Sequence, residues 1–202
     1  MLSQKEESQM DYELLVNLAL GLAAMGIFLL AARPKKGMRP LDFVWLGLFC
    51  LYLSIMYAVT GLPSAGYLAW DPTVNLIPFS DFRDRRYLFL SCMNVLMTVP
   101  LGVFLPLVWK KYQRLPATLA AGFFTSLSIE IMQLFCFRST DIDDLIYNTL
   151  GTVLGFLLGK LILGPLWKSC GNAQKSYWWL NAILILLCFF LRDFLASMKK
   201  FV

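Results

Sequence analysis

The sequence predicts an all-α integral membrane protein, a polytopic bundle of about six transmembrane helices. Of its 202 residues, 58% are hydrophobic and 15% are charged, whereas soluble domains are typically about 45–50% apolar and about 25% charged. The apolar residues form runs of about 20, the length of helix that crosses a bilayer. The net charge of +5 comes from short clusters of cations between these runs, which is typical of membrane-flanking loops and not of a nucleic-acid interface.

The predicted spans follow one another along nearly the whole chain. A polar, net acidic segment, 1–13, precedes the first span, and because a cleaved signal peptide begins with positive charge, we predict a retained helix. Residues 14–163 are predicted to form a membrane domain of five spans with its core at 41–159. Residues 164–202 add a loop, a sixth span and a short basic tail. The predicted spans are 14–32, 41–60, 87–109, 116–137, 144–163 and 178–195.

Two spans carry residues that predict their local geometry. Pro100 and Pro106 predict a kink in the third span, because each proline frees a carbonyl of the preceding turn, which must find another partner. Gly151, Gly155 and Gly159 recur every four residues in the fifth span. Such a stripe of small residues lets another helix approach closely.

The distribution of cations favours an orientation with both termini outside. One lysine precedes the first span and four cations follow it directly, and short basic loops tend to stay on the cytoplasmic side. The long connection 61–86 and the turn 138–144 then also lie outside. Because that connection combines Pro, Gly and Asp with apolar residues, we expect it to lie in the interface or fold back over the bundle.

Cysteine and histidine usage limits the chemistry. The chain has five cysteines and no histidine, and no two cysteines form a CxxC pair. Most of the cysteines lie in apolar runs, where cysteine behaves as a small hydrophobe. We therefore expect no disulfide framework, no zinc site and no cofactor. Any acid–base chemistry would fall to carboxylates, lysine or tyrosine.

Three predicted helices bring polar side chains to a similar depth beneath one membrane face. Asn94 lies about seven residues into the third span, Glu130 about seven residues before the end of the fourth, and Asn148 about four residues into the fifth. At about 1.5 Å per residue these depths are roughly 10, 10 and 6 Å. Since a carboxylate near mid-bilayer costs roughly 2.5–3.5 kcal/mol, we predict that these groups meet in a functional pocket below one opening.

Neighbouring residues extend the predicted pocket. Gln133 shares a helix face with Glu130, and Asp144 shares one with Asn148. The candidate acid–base groups are Glu130, Asp143 and Asp144. The candidate binding residues are Asn94, Glu130, Gln133, Arg138, Asp141, Asp143 and Asn148.

Other interpretations of the polar residues stay open. In a structural network, Arg138 would simply neutralise Glu130 or Asp141 at the membrane edge. In a cation site, Asp141, Asp143 and Asp144 would supply hard oxygen ligands, although no metal is expected. A run of arginines before the third span would bind lipid phosphate or form a solvated charged surface: Arg83, Arg85 and Arg86.

Taken in order, these residues resemble the VanZ family of small bacterial membrane proteins. Each piece alone is unspecific, but the ordered set is fairly specific and covers 41–159, most of the chain. The matching pieces are Asn75-Leu76-Ile77-Pro78-Phe79; Asn94 with Pro100-Leu101-Gly102 and Pro106; Glu130-Ile131-Met132-Gln133; Arg138 with Asp141-Ile142-Asp143-Asp144; and Asn148 with Gly151 and Gly155.

The resemblance implies a multi-pass protein of the bacterial cell membrane, associated with low-level resistance to the glycopeptide antibiotic teicoplanin. It implies action at the cell envelope without remodelling the D-Ala-D-Ala terminus of peptidoglycan precursors, by an undefined mechanism. The expected partners are the lipid bilayer and, at the pocket, a lipid-linked cell-wall precursor or a lipoglycopeptide; no nucleic acid is expected, and the oligomeric state stays open. The alternatives are an intramembrane enzyme acting on a lipid-linked or acylated cell-wall substrate, with Glu130 or Asp143 as acid or base and Arg138 holding an anion, and a lipid or drug transporter.

Overall fold

The computed structural model of the chain describes residues 15–16, 19–30, 39–62, 68, 70, 73–80, 84–136, 139–173 and 176–197, with side chains up to 191 in the last helix. It is an all-α bundle, as predicted. The helices are α1 (Ala19–Leu30), α2 (Pro40–Thr60), α3 (Arg85–Val108), α4 (Leu115–Gln133), α5 (Ile142–Ser169) and α6 (Tyr177–Ser197). A 3₁₀ turn covers Lys110–Gln113, and two short strands are β1 (Val74–Asn75) and β2 (Thr140–Asp141).

Within the described residues, four helices, α2 to α5, are long and apolar enough to cross a membrane. Two further apolar helical stretches, Ala19–Leu30 and Tyr177–Leu191, are shorter. They fall within the first and sixth predicted spans, and the first span, 14–32, lies partly outside the described residues. The membrane-type bundle is therefore confirmed, and four of the six predicted spans have helices of spanning length.

The most extensive helix contact joins α3 to α5, and glycine makes it possible. Gly151 and Gly155 lie directly against the backbone of α3, so that a Cβ on Gly155 would collide with the carbonyl oxygen of Val99. Gly102 allows the same close approach from the side of α3, because a Cβ there would collide with the carbonyl oxygen of Thr152. The glycine stripe thus brings two backbones into direct contact, as small residues do in membrane helix pairs.

Helix α3 continues through both of its prolines. Carbonyls near them accept hydrogen bonds from side chains: Tyr52 Oη donates to the Met97 carbonyl at 2.8 Å, and Gln113 Nε2 donates to the Pro106 carbonyl at 3.2 Å. Gln113 also donates to the Trp167 carbonyl at 2.6 Å. These bonds tie α3 to α2 on one side and to the end of α5 on the other.

The connection between α2 and α3 folds back onto the α4–α5 turn. Strand β1 pairs in parallel with β2, with Val74 opposite Thr140 and Asn75 opposite Asp141. The Thr140 amide also donates to the Thr73 carbonyl at 2.9 Å. The long connection and the acidic turn therefore lie at the same end of the bundle, as the count of spans between them requires.

A buried polar network joins α2, α4 and α6 in the core. Tyr57 Oη donates to Asn181 Oδ1, which also accepts from Tyr177 Oη at 3.1 Å. The Tyr177 hydroxyl in turn lies 2.7 Å from the Thr125 hydroxyl. Satisfied polar groups of this kind fix which faces of the three helices meet.

We expect Gly155→Ala to destabilise the protein by about 1–3 kcal/mol, because the new methyl group meets backbone of α3 that cannot rotate away. Gly26→Ala in α1 is the matched control, since nothing lies within 4 Å of the position of its added Cβ. The measurement is thermal unfolding of both variants in detergent. Equal melting temperatures for Gly155→Ala and the unmodified protein would contradict the close α3–α5 contact.

Candidate functional site

A cavity of about 520 Å³ lies among α2, α3, α4 and α5, at the end of the bundle that carries β1 and β2. Its wall combines apolar side chains of α2 and α3 with polar side chains of α3, α4 and α5. The lining residues are Val59, Thr60, Leu90, Met93, Asn94, Met97, Ile129, Glu130, Gln133, Ser139, Asp144 and Asn148. Five of the predicted polar residues therefore share one cavity: Asn94, Glu130, Gln133, Asp144 and Asn148.

Glu130 is held at the cavity wall by the turn that follows its own helix. The residue is 4% exposed, and its Oε2 accepts a hydrogen bond from the Asp141 amide at 3.1 Å. The Glu130 carbonyl accepts from Thr140 Oγ1 at 3.0 Å. Both bonds tie α4 to strand β2, so the carboxylate that orders the turn also faces the cavity.

Gln133 links α4 to the end of α2. Its Nε2 donates to the carbonyl of Thr60 at 3.0 Å, and Thr60 is the last residue of α2, where carbonyls lack helical partners. Because a carbonyl can only accept a hydrogen bond, its partner must be the amide nitrogen of Gln133, and this fixes the orientation of that amide group. The other amide atom, Oε1, is buried and accepts no hydrogen bond within the described part of the chain.

Asn148 of α5 faces α4. Its Nδ2 lies 3.0 Å from Ser126 Oγ, the residue is 3% exposed, and its Oδ1 is a second buried acceptor without a partner among the described residues. Asn94 of α3 donates from Nδ2 to Asp144 Oδ1 at 2.5 Å. Each of these pairs crosses between two helices at the cavity wall.

The other two aspartates of the turn have different partners. Asp141 caps α5, with Oδ1 accepting from the Asp143 amide at 2.9 Å and Oδ2 accepting from Asn75 Nδ2 at 3.2 Å. Asp143 is 1% exposed, and its two oxygens accept from the Phe79 amide at 3.0 and 2.9 Å and from the hydroxyl of Tyr87. Neither carboxylate lines the cavity.

The Asp143 contact holds an unusual backbone conformation. Phe79 has φ 59°, in the left-handed region that bulky residues seldom adopt. Such a conformation persists only where surrounding contacts impose it, and here both oxygens of Asp143 bind the Phe79 amide. The Asn75–Phe79 segment is therefore docked onto the start of α5 by Asp141 and Asp143 together.

The structure bears on the cation site and on the arginines that the sequence left as alternatives. The three aspartates of the turn bind different donors, and no group of three or more potential metal-ligating side chains occurs among the described residues. Arg138 and Arg83 lie outside the described residues. Arg85 and Arg86 are exposed at the start of α3, away from the cavity wall.

Several residues that build the site were not predicted. Ser126 lies four residues before Glu130, so helical periodicity could have placed it on the same face. Thr60 acts through its backbone carbonyl, for which a sequence carries no signal. The Tyr87 hydroxyl contact with Asp143 depends on how the connection folds, and a tyrosine at a span end has a more usual interpretation as an interfacial anchor.

Comparison with known proteins covers the same region. The model of the VanZ/LLP1 family matches residues 43–163, which include every residue that lines the cavity. Protein VanZ of Enterococcus faecium is 32% identical over 116 residues, which make up 57% of this chain and 65% of that protein. The chain thus covers slightly less than two thirds of that relative. No solved structure matches the chain.

We expect Asp143→Ala to release the Asn75–Phe79 segment from α5 and to cost about 1.5–3 kcal/mol, the range for hydrogen bonds to a charged group. Tyr87→Phe removes one of the same bonds and should cost less. Hydrogen exchange at the Phe79 amide, together with thermal unfolding, measures both effects. Unchanged exchange in Asp143→Ala would show that the segment is held by other contacts.

Proposed function

The chain belongs to the VanZ/LLP1 family and is a multi-pass protein of the bacterial membrane, and from this premise we propose that it lowers susceptibility to teicoplanin by binding a ligand in the cavity between α2 and α5. The ligand is either the lipoglycopeptide itself or a lipid-linked cell-wall precursor that the drug would otherwise reach. The protein then acts on access at the envelope surface, without changing the peptide terminus of the precursor.

One observation carries this proposal: five polar side chains of three apolar helices line a single cavity. Polar groups within membrane helices are costly and typically mark a functional site. Glu130 is the most informative of them, because it is a carboxylate with only 4% of its surface exposed, and a carboxylate is the most expensive group to bury. The cavity of about 520 Å³ beside it has room for a ligand, which a purely structural network does not need.

The location of the cavity supports action at a membrane face. Ser139 precedes β2, and Thr60 ends α2, so the cavity lies close to the ends of these helices. Teicoplanin-type drugs act from outside the cell, and the charge distribution around the first helix favours this face as the outer one. A ligand could then reach the cavity without crossing the membrane.

An intramembrane enzyme is the second candidate, and the pairing of Asp144 favours it. Glu130 and Asp144 both face the cavity, one bonded to a backbone amide and the other to Asn94. Two carboxylates in different environments can differ in proton affinity and divide the roles of acid and base. Asp143, which was the other candidate base, instead holds Phe79 and Tyr87 outside the cavity wall.

We expect Glu130→Gln to abolish protection against teicoplanin in a host that depends on this chain. The amide oxygen can still accept from the Asp141 backbone, so the variant removes the charge and keeps the contact. Asp84→Asn is the control, because it removes a carboxylate at the start of α3 whose capping role asparagine fills equally well. Minimum inhibitory concentrations at matched membrane levels measure the effect, and full protection by Glu130→Gln would refute a role for the cavity.

The enzyme candidate makes a separate prediction. If the chain modifies a lipid-linked or acylated substrate, cells that express it should contain a product that is lost in both Glu130→Gln and Asp144→Asn. Mass spectrometry of lipids and cell-wall precursors measures this product. Identical profiles with and without the protein, combined with reduced drug binding to the cell surface, would leave surface access as the function.

A further inference from the structure

The cavity has a polar floor and an apolar mouth. The floor includes Gln133 and Asn148, which are 6% and 3% exposed. The mouth is formed by Val59 of α2 and by Leu90 and Met93 of α3, which are 64%, 61% and 47% exposed. Exposed apolar side chains on membrane-spanning helices face lipid, so the cavity opens sideways into the bilayer and not only toward water.

The opening lies near the membrane face. Val59 is one residue from the end of α2, and Met93 is less than three turns into α3, roughly 12 Å from its start. Deeper in the membrane the two helices are joined, because Tyr52 of α2 donates to the carbonyl of Met97 at 2.8 Å. Met97 also lines the cavity, so this contact closes the gap between α2 and α3 toward the membrane centre.

Two side chains of the floor carry hydrogen-bond acceptors that no described residue uses. Gln133 Oε1 and Asn148 Oδ1 are both buried and lack partners within the described residues. The Gln133 oxygen cannot exchange places with its nitrogen, because Nε2 is committed to the Thr60 carbonyl. A buried acceptor without a partner is costly, and a ligand that brings donors to this floor removes the cost.

We propose that the cavity binds an amphiphile whose head group carries hydroxyl or ammonium donors and which enters from the bilayer between α2 and α3. The donors bind Gln133 Oε1 and Asn148 Oδ1, and an acyl chain leaves past Leu90 and Met93. This inference rests on the proposed function, because it names the ligand class for the same site.

Matched lipids test the proposal on the purified full chain in detergent by native mass spectrometry. Phosphatidylethanolamine and phosphatidylcholine with identical acyl chains share a phosphate and a net charge and differ in the N–H donors of the head group. Glucosyl diacylglycerol and diacylglycerol form a second pair that differs in hydroxyl donors. We expect the donor-bearing member of at least one pair to bind about two- to tenfold more tightly, the effect of one hydrogen bond to a buried acceptor, and the pair that discriminates identifies the donor. Equal affinity within both pairs would overturn the proposal.

Variants locate the binding site. Gln133→Met combined with Asn148→Leu should remove the preference within the pair, whereas a preference that survives would refute this floor as the head-group site. Met93→Trp fills the mouth and should weaken binding of every lipid. Leu96→Trp is its control, since Leu96 is 62% exposed on the same helix and does not line the cavity. Equal binding by the two tryptophan variants would rule out entry between α2 and α3.

The failure of this inference is distinguishable from that of the proposed function. If no lipid pair is discriminated but Glu130→Gln still abolishes teicoplanin protection, the cavity acts on a ligand of another class. If lipid selectivity holds and depends on Gln133 and Asn148 while Glu130→Gln protects fully, the site binds lipid for a purpose other than resistance.

Discussion

The contact between the backbones of α3 and α5 sets the geometry on which the site depends. Gly151 and Gly155 allow α5 to approach α3 until side-chain-free surfaces touch, and Gly102 does the same from the other helix. This contact fixes the register of the pair. With Gly151 against Val95, the adjacent Asn94 reaches Asp144, which lies about two helical turns before Gly151 and closer to the membrane face. A shift of one residue would rotate the start of α5 by about 100° and place a different aspartate in the cavity.

The three aspartates of the acidic turn have two different roles: two of them hold the surrounding structure, and one faces the cavity. Asp141 and Asp143 use their oxygens to cap α5 and to hold the Asn75–Phe79 segment. Asp144, the next residue, faces the cavity with Asn94. Since successive residues of a helix point about 100° apart, adjacent aspartates can serve these two purposes without competing. The docked segment belongs to the long connection, whose Thr73 carbonyl accepts from the Thr140 amide and whose Trp70 ring packs against Phe135 at this end of the bundle.

The polar side chains of the cavity differ in how many of their hydrogen-bonding atoms have partners, and the proposed function depends on this difference. Glu130 accepts a hydrogen bond from a backbone amide of the turn, and Asn94 donates a hydrogen bond to the carboxylate of Asp144. The side chains of Gln133 and Asn148 line the cavity and bind Thr60 and Ser126 through their amide nitrogens. Their amide oxygens have no partner among the described residues. In a membrane, where water does not compensate freely for a missing partner, such acceptors favour binding of a donor-bearing ligand.

The sequence by itself determined the fold class, most of the spans and five of the polar side chains that line the cavity: Asn94, Glu130, Gln133, Asp144 and Asn148. Apolar runs of bilayer length and the helical repeat follow from the local sequence, which therefore places Glu130 with Gln133 and Asp144 with Asn148 on shared helix faces. Only the tertiary structure decided that Asp144 and not Asp143 faces the cavity, and that Ser126 and the Thr60 carbonyl bind Asn148 and Gln133. It also placed exposed apolar side chains of α2 and α3 along the cavity wall. The physical reason is that these features depend on the rotation and register of one helix against another. That packing is settled by contacts between residues far apart in the chain, such as Gly155 with Val99 and Asp143 with Phe79.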